Sequence, residues 1–289
     1  YHIYGVLSMK ILVTGSSGFI GSHVVRELKK DKHSVSEWDL LRTFEGNPAP
    51  LNFKDIKEDY LSQFDRVVHL AALADVRKSM EDPDKWYETN VDWSINLFQL
   101  CGKLEIPCVY ASSSNVHEWY NNPYAGSKKA MESVAKATGK HIGLRFTNVF
   151  GPGCRPTMLT QKMIDGTLKY KTNHTRDFIH VLDIVDAIKL FIYRKDFFAD
   201  WTQHNYEIAS GKGIKVDELV DKYLHNIPLE SGFIGERQDN TANITDILDL
   251  GWVPKRNLDK YLKGKIHGNT KFKDNIQRLL FTKLRFWSN

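Results

Sequence analysis

The sequence predicts an α/β protein: a doubly wound parallel β-sheet, followed by a smaller C-terminal α/β region that would carry a substrate. Three observations predict it. Short apolar, β-branched runs alternate with longer stretches of helical periodicity through the first half of the chain. A glycine-rich turn, GSSGFIG, stands between the first run and the first helical stretch. An aspartate, Asp39, ends the second run.

Taken in order, KILVTG (10–15) is a short strand-like run ending in glycine. SSGFIGSHVVRELKK follows, with Ile20, Val24 and Leu28 at helical spacing. HSVSEWD (33–39), DRVVHLAA (65–72) and IPCVYASSS (106–114) are the next strands, the last two separated by a helical stretch at 87–104. HIGLRFTNVFGP (141–152) is a strand running into a turn. This alternation calls for right-handed βαβ crossovers and a sheet covered by helices on both faces. After Gly151 the elements become shorter and more polar, with no repeat and no low-complexity segment. The expected division assigns 9–150 to the sheet domain, with 177–200 returning to it. Residues 151–176 and 201–289 form the smaller substrate-binding region and a basic tail, and 1–8 are an upstream extension.

An apolar fraction of 42% and a charged fraction of 26% are those of an ordinary globular chain, and 289 residues can bury a substantial core. No apolar run approaches the length of a membrane span. Cys101, Cys108 and Cys154 are odd in number and lack metal-ligand spacing, which points to thiols in a reducing, cytoplasmic setting. The net charge of +5 is uneven. Residues 255–289 hold ten Lys/Arg and two Asp/Glu, leaving a slightly acidic body, so nucleic acid is not an expected partner.

Glycines at 15, 18 and 21 suit a strand-to-helix turn that admits a pyrophosphate to the backbone at a helix N-terminus, as in a Rossmann-type sheet. Asp39, 21 residues after Gly18, would accept hydrogen bonds from an adenosine ribose and repel a 2′-phosphate. The cofactor expected is therefore NAD rather than NADP, with Arg42 the residue that speaks for a phosphate. Tyr124 and Lys128 form a Tyr-x-x-x-Lys pair just after three serines. Asn122 is a suitable N-cap and Pro123 a suitable first helical residue, so the pair also opens a helix.

From Met9 to about Asn257 the chain resembles the extended short-chain dehydrogenase/reductase family, the nucleotide-sugar epimerases and dehydratases. The motifs that carry the resemblance are VTGSSGFIGSHVV, HLAALADVRKSMEDP, ETNV, ASSS with YAGSK, LRFTNVFGP, TRDFIHVLDIVDAI and LGWVPK, in that order. The resemblance implies that Gly15, Gly18, Phe19, Ile20 and Gly21 cradle the pyrophosphate while Asp39 holds the ribose. It also implies that Asp55 and Ile56 flank the adenine, and that Ala71, Ala72 and Leu73 line the cleft. Tyr124 and Lys128 would be the catalytic pair, with Ser113 or Ser114 as the assisting hydroxyl and Lys128 also touching the cofactor. Asn148, Arg176 and Arg237 would meet the diphosphate of a nucleotide sugar, although either arginine taken alone reads more readily as a plain surface or salt-bridge residue. His69 and His180, within apolar runs, read as satisfied core histidines, and Trp86, Trp93 and Trp119 as packing or interface residues.

The implied chemistry needs these residue types. A free phenol is a weak base at neutral pH, and a lysine one helical turn on would lower its pKa. Tyr124 would then take a proton from a sugar hydroxyl as hydride leaves the same carbon. Family dehydratases carry an Asp-Glu pair where this chain has Ser114 and Asn115, and no cysteine lies nearby. The expectation is a NAD-dependent 4-epimerase; the alternatives are a dehydratase or reductase of the same family, or a silent NAD-binding scaffold. The chain departs from the family pattern in two short loops. Ser113 precedes Tyr124 by only eleven residues, with His117-Glu118 in place of Tyr-Gly, and the segment between GPGCRP and TRDF is brief.

The resemblance also implies a homodimer, with Trp93, Leu97, Leu100, Met131 and Val134 turned outward. In the tail, Ile276, Leu279, Leu280, Leu284 and Trp287 form an amphipathic stretch. It is expected to dock on its own domain; a weak contact with an anionic membrane surface is the alternative.

Overall fold

A computed structural model gives the structure of the protein and describes residues 8–40, 52–139, 141–194 and 204–266. Arg42 and the amphipathic tail stretch lie outside the described residues.

The chain begins with β1 (Lys10–Thr14), α1 (Phe19–Lys30), β2 (Ser34–Trp38), α2 (Glu58–Leu61) and β3 (Arg66–His69). It continues through α3 (Val76–Glu81), α4 (Pro83–Tyr87), α5 (Trp93–Lys103), β4 (Cys108–Ser113), α6 (Pro123–Thr138) and β5 (Ile142–Phe146). Then come β6 (Asn148–Phe150), α7 (Leu159–Asp165), β7 (Thr175–His180), α8 (Val181–Ile192), β8 (Asn205–Ile208), β9 (Gly213–Lys215), α9 (Val216–Asp221) and β10 (Asp239–Asn240). Six parallel strands form the main sheet in the order β2-β1-β3-β4-β5-β8. The chain leaves β1 toward one side and returns on the other at β3. The crevice beyond the carboxyl end of β1 is therefore the switch point, where open α/β sheets hold ligands.

Strand alternation feeds two cores. Ile11, Val13, Val68 and Val109 join α1 and α8 on one face, while Leu12, Val67, Cys108 and Tyr110 join α5 and α6 on the other. A third core, built on Phe150, Met163, Phe178, Leu219 and Leu262, lies around a second small sheet. In that sheet β7 pairs with β6 and β10 in parallel and with β9 antiparallel.

Three expectations are corrected. The strand expected over 141–152 breaks at Thr147, with β5 in the main sheet and β6 in the small one. Strand β8 adds to the main sheet beside β5, although 201–289 was assigned to the smaller region, because masking charges at Glu207 hide a four-residue strand whose Tyr206 and Ile208 are buried. The helical stretch at 87–104 begins earlier, where Asp82 caps α4 and Pro83 takes its first position. A wide π-type turn at Glu88–Asp92 then leads into α5.

The stripe expected to form a dimer interface does not face outward. Leu97 and Met131 are buried in the chain's own core, with Trp93, Leu100 and Val134 packed against it. A Rossmann helix needs an apolar face for its own sheet, and here that need takes these side chains. Among the described residues no helix is long and apolar enough to cross a membrane.

Candidate active site

The glycine turn is built by close approach. Gly15 takes φ +70°, and a Cβ there would stand 2.6 Å from the Ala71 nitrogen. Its own N–H donates to the Trp38 carbonyl, tying the turn to β2. A Cβ on Gly21 would stand 2.0 Å from the Gly15 carbonyl oxygen, so α1 starts hard against the turn. Gly18 caps α1 in an extended conformation without any side-chain partner for the helix N–H groups, and the first turn holds no acidic residue. The hydroxyls of Ser16 and Ser17 are buried with no partner among the described residues. Bare N–H groups, orphaned hydroxyls and a cradle that any side chain would fill together fit a pyrophosphate. Asp39 is buried beside this turn, its Oδ2 accepting from the Ser17 N–H at 2.8 Å. Phe19 and Ile20 open α1 and are partly buried against the first core.

Ala71, Ala72 and Leu73 follow β3 at the crevice and are half-buried. Asn90, in the wide turn before α5, holds this segment by two bonds and reaches α6 by a third. Its Oδ1 accepts from the Leu73 N–H at 2.8 Å, and its Nδ2 donates to the Leu73 carbonyl and to Ser127 Oγ, each at 3.0 Å. Asp55 is exposed, whereas Ile56 turns its side chain into the second core and accepts from Asn96 through its carbonyl. His69 is fully satisfied by Thr14 and Ser94, and its pKa is lowered to about 3 by burial and by the nearby charge of Lys128. His180 accepts the Leu182 N–H as the cap of α8.

Strand β4 and helix α6 carry the serines and the Tyr-x-x-x-Lys pair expected from the sequence. Asn122 caps α6 by accepting the Ala125 N–H at 2.8 Å, with Pro123 in the first position. The Tyr124 phenol faces Ser113, whose hydroxyl acts to lower the phenol's pKa. Ser113 Oγ also accepts from the Asn115 N–H, while the buried Ser114 Oγ has no partner among the described residues. Of the two serines left open by the sequence, Ser113 is therefore the one that meets Tyr124. Lys128 Nζ donates to the Ala111 carbonyl at 2.8 Å and is buried. Burial draws its ammonium down to about 7, and the charge of Glu132 acts against that.

The expectation that Lys128 lowers the Tyr124 pKa is corrected. Burial raises it, and the groups acting in the opposite sense are Ser113 and the positive charge of Arg155. Arg155, in the GPGCRP loop, was missed. Its NH1 donates to the Ala74 carbonyl and its NH2 reaches Met158 Sδ, and no carboxylate among the described residues partners it. The only signal in the sequence was a lone arginine in a loop, which has no periodicity.

The short β4–α6 connection is a compact 3₁₀ run over Ser114–Asn121, kinked at Glu118. His117 bonds Glu207 at 2.6 Å, and Glu118 bonds Arg237 at 3.1 Å and Asn121 at 2.6 Å. Arg237 also donates to the Ser114 carbonyl and to Asn240 Oδ1, both at 2.8 Å. Arg176 donates to the carbonyls of Arg237 and Thr175 and meets Glu236 at 3.4 Å. Arg237 thus ties the small sheet to the Ser114 backbone at the end of β4, while Arg176 ties β7 to the chain leading into β10. Asn148 opens β6 and donates to the Asp177 carbonyl.

Comparison with known proteins places this geometry among relatives. A model of the family described as "NAD dependent epimerase/dehydratase family" matches residues 11–209. Protein CapI of Staphylococcus aureus is 32% identical over 86% of this chain and 95% of its own. The UDP-glucose 4-epimerase of Pisum sativum is 28% identical over 88% of this chain and 93% of its own. Among solved structures, MoeE5 in complex with UDP-glucose and NAD is 27% identical at a TM-score of 0.76, covering 91% of this chain and 99% of MoeE5. The same protein with UDP-glucuronic acid and NAD superposes at a TM-score of 0.75 with 26% identity.

Proposed function

Since the chain belongs to the NAD-dependent epimerase/dehydratase family, we propose that it is a 4-epimerase of a nucleotide-diphosphate sugar. One observation carries the choice of reaction. The only carboxylate between Ser113 and Tyr124 is Glu118, and it is committed to Arg237 and Asn121. Elimination of water across C5 and C6 needs a free acid and base next to the sugar, and Ser114 and Asn115 supply neither. Inversion at C4 needs only the Tyr124 group and a cofactor.

The turn at Gly15–Gly21 and Asp39 would hold NAD, which when bound accepts a hydride from the sugar carbon and returns it. The protein's part is proton movement and placement. Tyr124 Oη takes the proton of the C4 hydroxyl and gives it back. Ser113 Oγ, which faces the phenol, would steady that oxygen through both directions. A buried phenol is a reluctant base, so the positive charge of Arg155, joined by that of the bound nicotinamide, would favour the phenolate. Asn148, Arg176 and Arg237 would meet the diphosphate, the two arginines exchanging intrachain acceptors for phosphate oxygens.

Arg155 favours a particular sugar. It is a guanidinium without a carboxylate partner among the described residues, and its charge is felt by the phenol that would meet the C4 hydroxyl. The buried Ser114 Oγ and Thr147 Oγ1, at the ends of β4 and β5, have no partner among the described residues. A carboxylate on C5, one bond from C4, matches two hydroxyls and a cation, as in a uronic acid. The test is turnover of UDP-glucose against UDP-glucuronate, read by the anomeric NMR signals of the epimers. Higher kcat/KM for the uronate, lost in Arg155→Ala, supports the assignment; equal use of both sugars removes it. Failure on every nucleotide sugar tried, with NAD bound, favours the scaffold alternative.

A further inference from the structure

Three consecutive residues of β4 each hold a different residue of α6. The Ala111 carbonyl accepts Lys128 Nζ, the Ser112 hydroxyl donates to Glu132 Oε1 at 2.6 Å, and Ser113 meets Tyr124. Glu132 is buried, one helical turn beyond Lys128 and on the same face. Arg145 on β5 clamps it bidentately, Nε to Oε1 and NH2 to Oε2, both at 2.8 Å. Arg145 in turn reaches Glu207 on β8 at 3.2 Å, and His117 of the short connection bonds that same carboxylate. A buried ion pair of this kind costs desolvation and is weak evidence for stability by itself. Its place, directly behind the catalytic pair, calls for another account.

We infer that Glu132 is a positioning residue for the proposed reaction: its clamped carboxylate, one helical turn along α6, opposes the loss of charge at Lys128 and so favours the ammonium that bonds β4. The inference rests on the reading of Tyr124 and Lys128 as the working pair. Lys128 needs such a neighbour, because burial alone draws its ammonium toward neutrality and Glu132 is the charge acting against that. Among the described residues, the other groups facing Lys128 do not supply a negative charge. His69 on β3 is held neutral by burial, and Tyr124 is a phenol whose proton burial retains. Lys129 on the outer side of α6 comes only within 4.0 Å of Glu132. Arg145 fixes the geometry of the carboxylate and tempers its charge, so the two residues act on Lys128 with opposite sign.

That opposition supplies the test. The apoprotein is labelled with ¹³Cε-lysine, and the Lys128 resonance is assigned by its loss in Lys128→Met. Glu132→Gln keeps the shape of the side chain and one accepting oxygen, loses the second bond from Arg145 because an amide nitrogen cannot accept it, and removes the charge; it should lower the Lys128 midpoint, a tenfold loss of ammonium for each pH unit. Arg145→Gln should raise it. If Glu132→Gln fails to fold, Arg145→Gln carries the test alone. Shifts of the same sign in both variants, or none, would overturn the inference, since a merely structural clamp moves both alike. With a nucleotide sugar, the alkaline limb of kcat should move with the same signs, and Glu132→Asp should restore it in part. Because the titration needs no substrate, absence of turnover with intact opposite shifts rejects the proposed reaction and leaves the coupling standing.

Discussion

The glycine turn offers a graded perturbation whose size the structure sets. At Gly21 an added Cβ would stand 2.0 Å from the Gly15 carbonyl oxygen and 2.8 Å from its carbon, both backbone atoms. Carbon and oxygen ordinarily keep about 3.3 Å apart, so α1 and the turn would have to separate by roughly 1 Å. Neither can give easily: Gly15 is tied to β2 through the Trp38 carbonyl, and α1 is packed in the first core. Overpacking of this kind costs about 3 kcal/mol, or roughly 6 °C in melting temperature for a chain of this length. At Gly18 the same methyl meets only the Gly15 oxygen, at 3.2 Å, with an ordinary extended φ of −68°. Gly18→Ala should therefore melt within about 2 °C of the parent, yet bind NAD at least tenfold more weakly, about 1.4 kcal/mol. The methyl would stand where backbone must approach the pyrophosphate. Differential scanning fluorimetry and NADH fluorescence titration read the two quantities separately. Parent-like NAD affinity in Gly18→Ala would refute the assignment of this turn to the pyrophosphate. Parent-like melting in Gly21→Ala would refute the packing argument.

Other outcomes follow from the same geometry. Tyr124→Phe should lower kcat by at least about 10²-fold while leaving melting temperature and NAD affinity in place, because only the proton-carrying oxygen is lost; steady-state kinetics with NADH titration checks this. Asp39→Ala should weaken NAD and narrow its preference over NADP about tenfold, measured by competitive titration, since the repulsion of a 2′-phosphate goes with the carboxylate. Lys128 has its pKa lowered from an ordinary 10.5 to about 7, so between those values the unfolded chain binds the extra proton and stability rises with pH. Urea unfolding from pH 7 to pH 10 should show that rise in the parent and a flatter profile in Lys128→Met. His69, His141 and His180 are lowered to about 3, 4 and 4, so stability should fall as pH drops from about 6.5 toward 4, measured by the same titration.

Where the sequence was legible, the signal was local. Gly15, Gly18 and Gly21 sit within one turn, Asn122-Pro123 opens α6 by caps that need no distant partner, and the strands feeding the two main cores carry unbroken apolar runs. Where it was not, the determinant lay far away in the chain. Arg145 and Glu132 are 13 residues apart on different elements, and Glu207 lies 62 beyond Arg145, so no periodicity links them. Asn90 was visible only as part of a motif, because its three bonds to Leu73 and Ser127 depend on a wide helical turn that no propensity announces. The small sheet escaped for a related reason: β6, β9 and β10 are two or three residues long, too short to show alternation. Arg176 and Arg237 could be named from the resemblance, but not their bonds to backbone carbonyls, which emerge only when β10 meets β7.

The account's central claim is that hydride leaves and returns to one sugar carbon while Tyr124 handles the proton. The most direct measurement uses a UDP-sugar deuterated at C4, incubated with the NAD-loaded protein and followed by mass spectrometry and ¹H NMR. The account predicts a mixture of C4 epimers of unchanged mass, each retaining deuterium at C4 and gaining none from solvent. Loss of water from the product, washout of the label, or solvent hydrogen appearing at C5 would contradict it.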